Sequence, residues 1–361
     1  MLIRRLSCQN HRSNLYVHKI FSHINCYSII INRRLKSDSR FFGKHFKSLS
    51  INRRWLLMSD IIFIALSNLV ISPSRWNRLK EILKVNNVDE LLDHMSKDPS
   101  LYDKTMELLK TYFSYELDRA IKILSKLNDE DIAFISFNSP DYPETLKNYV
   151  LKGRVYRPLG LYVKPPVRLQ RKYIAVVGTR KCSEWGREIA RETGKIITST
   201  GFTLVTGFAE CIDVSSMIGA LESGGLVVAV RPWLKPLILP RESEEILRRF
   251  KERIVIISEH YEKPSVRSVE TLYYLRNRII AGIAELVIVI EARPEGGSMH
   301  QITWTIKQKK PLAIYRHPDP KSEYYRAFEK YSRYEQTIIL ENIEDLKEYL
   351  KNISKSVLFN C

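Results

Sequence analysis

Four short segments of this 361-residue sequence carry residue types suited to holding an anion. The first is Gly178-Thr179-Arg180-Lys181, where the apolar run Tyr173 to Val177 ends and Ser183 opens an amphipathic pattern. A strand, a glycine turn and a helix start aim backbone N–H groups and the positive end of a helix dipole at one point, which suits a phosphate. The second segment is Gly207-Phe208-Ala209-Glu210-Cys211-Ile212-Asp213. The third runs from Glu291 through Gly296-Gly297-Ser298, whose tandem glycines permit close backbone approach and whose serine offers a hydroxyl. The fourth is Arg276-Asn277-Arg278, two guanidiniums able to contact phosphate bidentately, preceded by Tyr273 and Tyr274, whose rings can stack on bases. Each segment alone also matches an ordinary tight turn or a solvated helix edge.

Other chemistry has fewer candidates. Asp213, Glu291 and Glu295 are carboxylates within these segments, but no Ser-His-Asp set and no H-E-x-x-H can be argued. Cys8, Cys26, Cys182, Cys211 and Cys361 are scattered without a C-x-x-C, which reads as unpaired thiols in a reducing cytoplasm. Zinc would have to gather distant residues such as Cys182, Cys211 and His300, so neither metal nor cofactor is expected. No apolar run reaches membrane-spanning length. The formal charge of +18 suggests a polyanionic partner, yet 12 of the basic residues and only one acid, Asp38, fall within residues 1–57. The remainder is mildly basic, so the case for nucleic acid rests on local sites.

These residues need elements to hold them. In residues 60–127, Ile61, Ile64, Ala65, Leu66 and Leu69 form one helical stripe, Ser72-Pro73 breaks it, and Trp76, Leu79, Ile82 and Leu83 form the next. Further stripes through Met106, Leu109, Leu117 and Leu124 predict a bundle of four or five helices. A strand-like stretch at 132–137, the turn cluster Asn138 to Pro143 and an apolar run at 159–163 make a connecting segment. Beyond it, strands at 173–177, 203–206, 226–230, 254–257, 286–291 and 312–315, with a last piece at 337–340, alternate with helices. The helices fit at 184–199, 211–223, 242–251, 278–284, 299–308, 322–331 and 343–351. Such alternation predicts an α/β fold, a doubly wound, mainly parallel sheet with ligands at the carboxyl ends of its strands. The expected segmentation is a basic stretch 1–57, helical 58–128, connecting 129–172, α/β 173–352 and a tail 353–361. The composition changes at Met58, read as the start of the working protein, with 1–57 disordered or outside it.

In combination the motifs resemble a known family. G-T-R-K at 178–181, G-F-A-E-C-I-D at 207–213, G-A-L-E-S-G-G at 219–225, S-E-H-Y at 258–261, R-N-R-I-I-A-G at 276–282 and E-A-R-P-E-G-G-S-M at 291–299 stand in one order. That order resembles the DNA-processing protein A (DprA, Smf) family, and A-L-S-N-L at 65–69 with S-P-D-Y-P-E-T-L at 139–146 extends the likeness over roughly 58–350. The resemblance implies a Rossmann-like domain behind a small SAM-like helical domain. It implies a non-enzymatic homodimer that binds single-stranded DNA and hands it to a RecA-type recombinase during DNA processing, uptake or recombination. It further implies a pocket for the DNA backbone formed by Gly178, Thr179, Arg180, Arg276, Asn277 and Arg278, lined by Gly297 and Ser298, with Tyr273 stacking a base. Lys181, Gly207 and Gly296 belong to the same motifs and join the expected site.

The departures all remove positive charge or backbone freedom: Glu210 stands for the family's arginine, Cys211 for its glycine, and Glu270 where a basic residue can contact DNA. The Val70-Ile71-Ser72-Pro73 hairpin also lacks the usual glycines. A second resemblance is to Rossmann-like nucleotide phosphoribohydrolases, through E-x-x-x-x-G-G-S at 291–298. There Glu291 or Glu295 would assist N-glycosidic cleavage, although the full P-G-G-x-G-T-x-x-E pattern is missing.

Overall fold

Apolar runs without polar alternation make strands that must be covered on both faces, and among the described residues nine strands assemble into one sheet. The fold is seen in a computed structural model that describes residues 51–98, 100–147, 157–169, 171–335 and 337–358. Residues 1–50 of the basic stretch, 148–156 of the connecting segment and the end of the tail lie outside the described residues. The chain divides into two units, Met1–Ser59 and Asp60–Cys361, and the sheet belongs to the second.

Among the described residues five helices come first: α1 (Ile51–Val70), α2 (Pro73–Leu83), α3 (Val88–Lys97), α4 (Ser100–Tyr112) and α5 (Ser114–Leu127). Pro73 stands in the first turn of α2, as the Ser72-Pro73 break requires. The connecting segment then supplies β1 (Ala133–Ser136), the short α6 (Glu144–Lys147) and β2 (Gly160–Lys164). Both strands join the sheet antiparallel, so this stretch is an edge of the sheet as well as a connection.

The remaining order is β3 (Tyr173–Gly178), α7 (Glu184–Ser199), β4 (Thr203–Thr206), α8 (Ile212–Glu222), β5 (Val227–Arg231), α9 (Arg241–Arg249) and β6 (Ile254–Ser258). It continues with α10 (Val269–Ile283), β7 (Ala284–Ile290), α11 (Ser298–Lys307), β8 (Leu312–Tyr315), α12 (Glu323–Tyr331), β9 (Thr337–Leu340) and α13 (Ile343–Leu358). Across the sheet the order is β1-β2-β6-β5-β4-β3-β7-β8-β9, parallel from β6 to β9. The chain therefore winds outward from β3 to β6, then returns to place β7 on the other side of β3. A crevice opens outside the carboxyl ends of strands where the winding reverses, here between β3 and β7. Among the described residues no helix is long and apolar enough to cross a membrane.

One helix departs from its expected bounds. The sequence pattern places a helix at 278–284, whereas α10 begins at Val269 with the Ser268 hydroxyl accepting the Thr271 N–H at 3.2 Å. Its first turns present Leu272 and tyrosine rings instead of an aliphatic stripe, which hides their period.

Helices α7 and α8 touch at glycines. A Cβ on Gly219 would stand 1.8 Å from the Arg191 carbonyl oxygen, and one on Gly194 would stand 2.0 Å from that of Ser216. Backbone against backbone leaves no flexible atom to give way. Gly219→Ala is expected to destabilise the fold by about 1–3 kcal/mol through overpacking, despite alanine's better helix propensity. Urea unfolding checks this, and an unchanged midpoint would show that the helices are not in such close contact.

Candidate functional site

The first turn leaves β3 at Gly178 and is held from the neighbouring strand. The Thr179 N–H donates to the Glu291 carbonyl at 2.8 Å, and the Ser183 N–H donates to the Glu291 carboxylate at 2.8 Å. The Ser183 hydroxyl bonds the same carboxylate and accepts the Gly186 N–H at 3.0 Å, capping α7. His317 Nε2 lies 3.2 Å from Glu291, and the Tyr324 hydroxyl donates to the Lys181 carbonyl at 2.5 Å. Glu291 is thus buried and occupied in shaping the turn, while Glu295 is exposed and outside the cavity lining. Arg180 and Lys181 project to solvent from the turn so fixed.

The second turn, after β4, is held from below. One Asp213 carboxylate oxygen accepts the N–H groups of Gly207 and Ala209, each at 3.1 Å. Burial pushes the Asp213 carboxyl up, while those N–H donors and nearby Arg276 oppose the shift. Arg231, at the end of β5, donates to the Gly207 and Phe208 carbonyls, to the Ile238 carbonyl at 2.9 Å and to the Tyr273 hydroxyl at 3.2 Å. Phe208, Cys211 and Glu291 all have positive φ (57°, 65° and 50°), so non-glycine backbone strain collects at these turns.

The basic segment behaves differently from its reading as the start of a helix. Arg276, Asn277 and Arg278 lie in the middle of α10, where side chains two positions apart point about 200° apart around the axis. Arg276 and Arg278 cannot face one ligand. Arg278 turns inward, only 1% exposed, and its Nη2 donates to both Glu259 oxygens at 2.7 and 2.8 Å. The expected DNA contact at Arg278 is corrected by this buried pair. Gly207 too lies outside the cavity lining, yet it matters: a Cβ there would stand 2.1 Å from Arg276 Nη1, so glycine is what lets the guanidinium lie beneath the second turn.

The structure brings Gly178, Thr179, Arg180, Lys181, Tyr273, Arg276, Asn277, Gly296, Gly297 and Ser298 around one cavity of about 590 Å³. Its electrostatics are unbalanced. The guanidinium carbons of Arg180, Arg276 and Arg231 stand 5.7, 5.7 and 5.8 Å from the centre of the Tyr273 ring. Arg231 and Arg276 are buried, and the Nε of each has no hydrogen-bond partner. Burial, then the charge of Arg231, pushes Arg276 down to about 10, still cationic at neutral pH. Burial likewise lowers Arg231. Asp213 is the buried carboxylate facing them, one negative group against two buried cations. Glu270 also lines the cavity, whereas Glu210 is exposed outside the lining.

Among the described residues no group of His, Cys, Asp and Glu is placed to hold a metal ion. Cys182 and Cys211 are instead joined as a disulfide, which corrects their reading as unpaired thiols.

The family model described as DNA recombination-mediator protein A matches residues 133–351. The chain belongs to this family. It is 28% identical over 181 residues to DNA processing protein DprA of Bacillus subtilis, covering 49% of this chain and 58% of that protein. It is 28% identical over 180 residues to protein Smf of a Synechocystis species, covering 49% and 44%. The chain thus spans about half the length of these curated relatives. The fold is similar to that of DNA processing protein A from Streptococcus pneumoniae, with TM-score 0.53, 18% identity and coverage of 82% of this chain and 96% of that one. It is also similar to DNA processing protein A from Helicobacter pylori, a structure described for its single-stranded DNA binding mode, with TM-score 0.51, 20% identity and coverage of 62% and 96%.

Within the DprA frame, sequence reasoning missed Arg231 and the Glu259–His260 pair. A lone arginine ending the apolar run Val227 to Val230 was the available signal for the first. Glu259 and His260 stood in the S-E-H-Y motif without a partner until the fold supplied Arg278. Burial pushes Glu259 up, but Arg278 and His260 outweigh it and hold the carboxyl below its usual range.

Arg278→Ala is expected to cost about 3–5 kcal/mol by stranding Glu259 without its partner, read by urea unfolding. A loss under 1 kcal/mol would contradict a buried pair. Burial pushes His260 down to about 4 from 6.5, so between those values the unfolded chain takes up a proton that the folded chain refuses. Stability contributed by His260 is therefore complete above pH 6.5 and is lost as pH falls toward 4, by roughly 3 kcal/mol at most. His260→Asn should flatten unfolding free energy over that window; an unaltered pH profile would remove His260 as the cause.

Proposed function

We propose that this chain is a single-stranded DNA-binding protein whose β3/β7 crevice holds the phosphodiester backbone. The observation that carries the reading is the Arg276 guanidinium, buried yet part of the cavity lining, with a second buried cation beside it. An uncompensated buried charge is costly, and an anionic ligand supplies what the protein lacks. Thr179, Arg180 and Lys181 form one wall; Gly296, Gly297 and Ser298 form another, at the start of α11. Asn277 and Tyr273 offer an amide and a ring edge to a base. A strand threaded between turns fits an open groove better than duplex does, and the single-strand binding described for the Helicobacter pylori relative agrees with this choice.

In this reading the chain acts in the cytoplasm as a homodimer that passes the strand to a RecA-type recombinase in DNA processing, uptake or recombination. The helical residues 58–128 and the α/β residues 173–352 serve as its two domains. The hydrolase alternative is weakened at both of its acids, because Glu291 is bonded to Ser183 and to the turn it shapes, and Glu295 lies outside the cavity lining.

Fluorescence anisotropy of the full chain with labelled oligo-dT, titrated across salt concentrations, tests the proposal. Arg276→Ala is expected to weaken binding by about 10-fold or more and to reduce the salt slope by about one phosphate, while leaving the fold intact. An Arg180→Ala/Arg276→Ala protein that binds like the parent, or a parent that binds duplex as tightly as single strands, would refute the site.

A further inference from the structure

We infer that the Cys182–Cys211 disulfide is a redox-controlled staple across this pocket, and that its state sets how tightly a single strand is held. The inference rests on the reading of the crevice as a strand-binding site. Cys182 follows Lys181 on the first turn; Cys211 ends the second turn, at the start of α8. Their Cα atoms are 5.9 Å apart across 29 positions of sequence.

Each turn is also tied to its own surroundings, and Ile212, next to Cys211, packs beside Gly178 of the first. The first is held by Glu291 and Tyr324, the second by Asp213 and Arg231. The disulfide, with the Cys182 N–H donating to Cys211 Sγ at 3.1 Å, ties one turn to the other. Both turns line the cavity, the first with Thr179, Arg180 and Lys181, the second with Ala209 and Asp213. Cys211 also holds φ 65° and ψ −101°, a conformation that favours glycine. A side chain kept at a strained position beside a ligand cavity is expected to do something there, and here it forms the bond between the walls.

The chemistry is ordinary thiol–disulfide exchange. Cys182 is half-buried and Cys211 is 2% exposed, so a thiolate of a dithiol reductant attacks Cys182 Sγ. The S–S bond breaks, Cys211 leaves as thiolate and takes up a proton, and a mixed disulfide forms at Cys182. The reductant's second thiol then attacks its own bonded sulfur, releasing Cys182 as a thiol and the reductant as a cyclic disulfide. Two electrons and two protons reach the protein. With the staple closed, the turn that carries Arg180 and Lys181 is held beside the second turn before the strand arrives. Once it is open, the turns must be ordered on binding, which weakens affinity.

The test compares full chain prepared in air with chain reduced by dithiothreitol, each titrated with labelled oligo-dT, beside a Cys182→Ser/Cys211→Gly variant. Thiol titration under denaturing conditions should show that reduction frees two more thiols in the parent than in the double variant, the two sulfurs of the Cys182–Cys211 bond. The oxidised parent should bind about 3–10-fold more tightly than the reduced parent. The double variant should match the reduced parent and ignore the reductant. No such difference in thiols, or equal binding in both states by a parent that does bind, overturns the staple and leaves the strand-binding site standing. No binding in either state overturns the site itself, and the staple's role with it.

Discussion

Strands β3 and β7 lie side by side although three other strands intervene in the chain, and the site depends on that adjacency. It puts the backbone of Glu291 level with the first turn, so one residue can accept the Thr179 N–H through its carbonyl and Ser183 through its side chain. Without β7 in place the amides of Thr179 and Ser183 would lose their shared partner. The cap of α7, the direction of Arg180 and the crevice then follow from a crossover between strands.

Charge is the second organising term. A protein interior tolerates guanidiniums when they are paired, and α10 shows both outcomes on a single helix. Arg278 has its carboxylate in Glu259 and contributes to the fold. Arg276 shares one carboxylate, Asp213, with Arg231, and the pair is left in excess. The imbalance lies in the cavity where three separate loops meet, which is why it reads as a binding feature rather than a defect in packing.

Much of this was legible in the sequence. Strands such as Tyr173 to Val177 and Leu286 to Ile290 are continuous apolar runs, and Gly178, Gly297 and Ser298 mark the turns that follow. What could not be read was direction. Arg276 and Arg278 look equivalent in a string of letters, and their divergence depends on where α10 begins, which Ser268 fixes eight residues upstream. Nor could spacing show that Cys182 and Cys211, 29 positions apart, would meet, because that requires α7 and β4 to be folded between them. Arg231 was invisible for a related reason: its four hydrogen-bond partners come from the second turn, from Ile238 and from α10.

Gly207 leaves a roof one hydrogen atom thick over the Arg276 guanidinium. A methyl group in that place would force the guanidinium to shift. The place of this charge is thus encoded partly by a missing carbon.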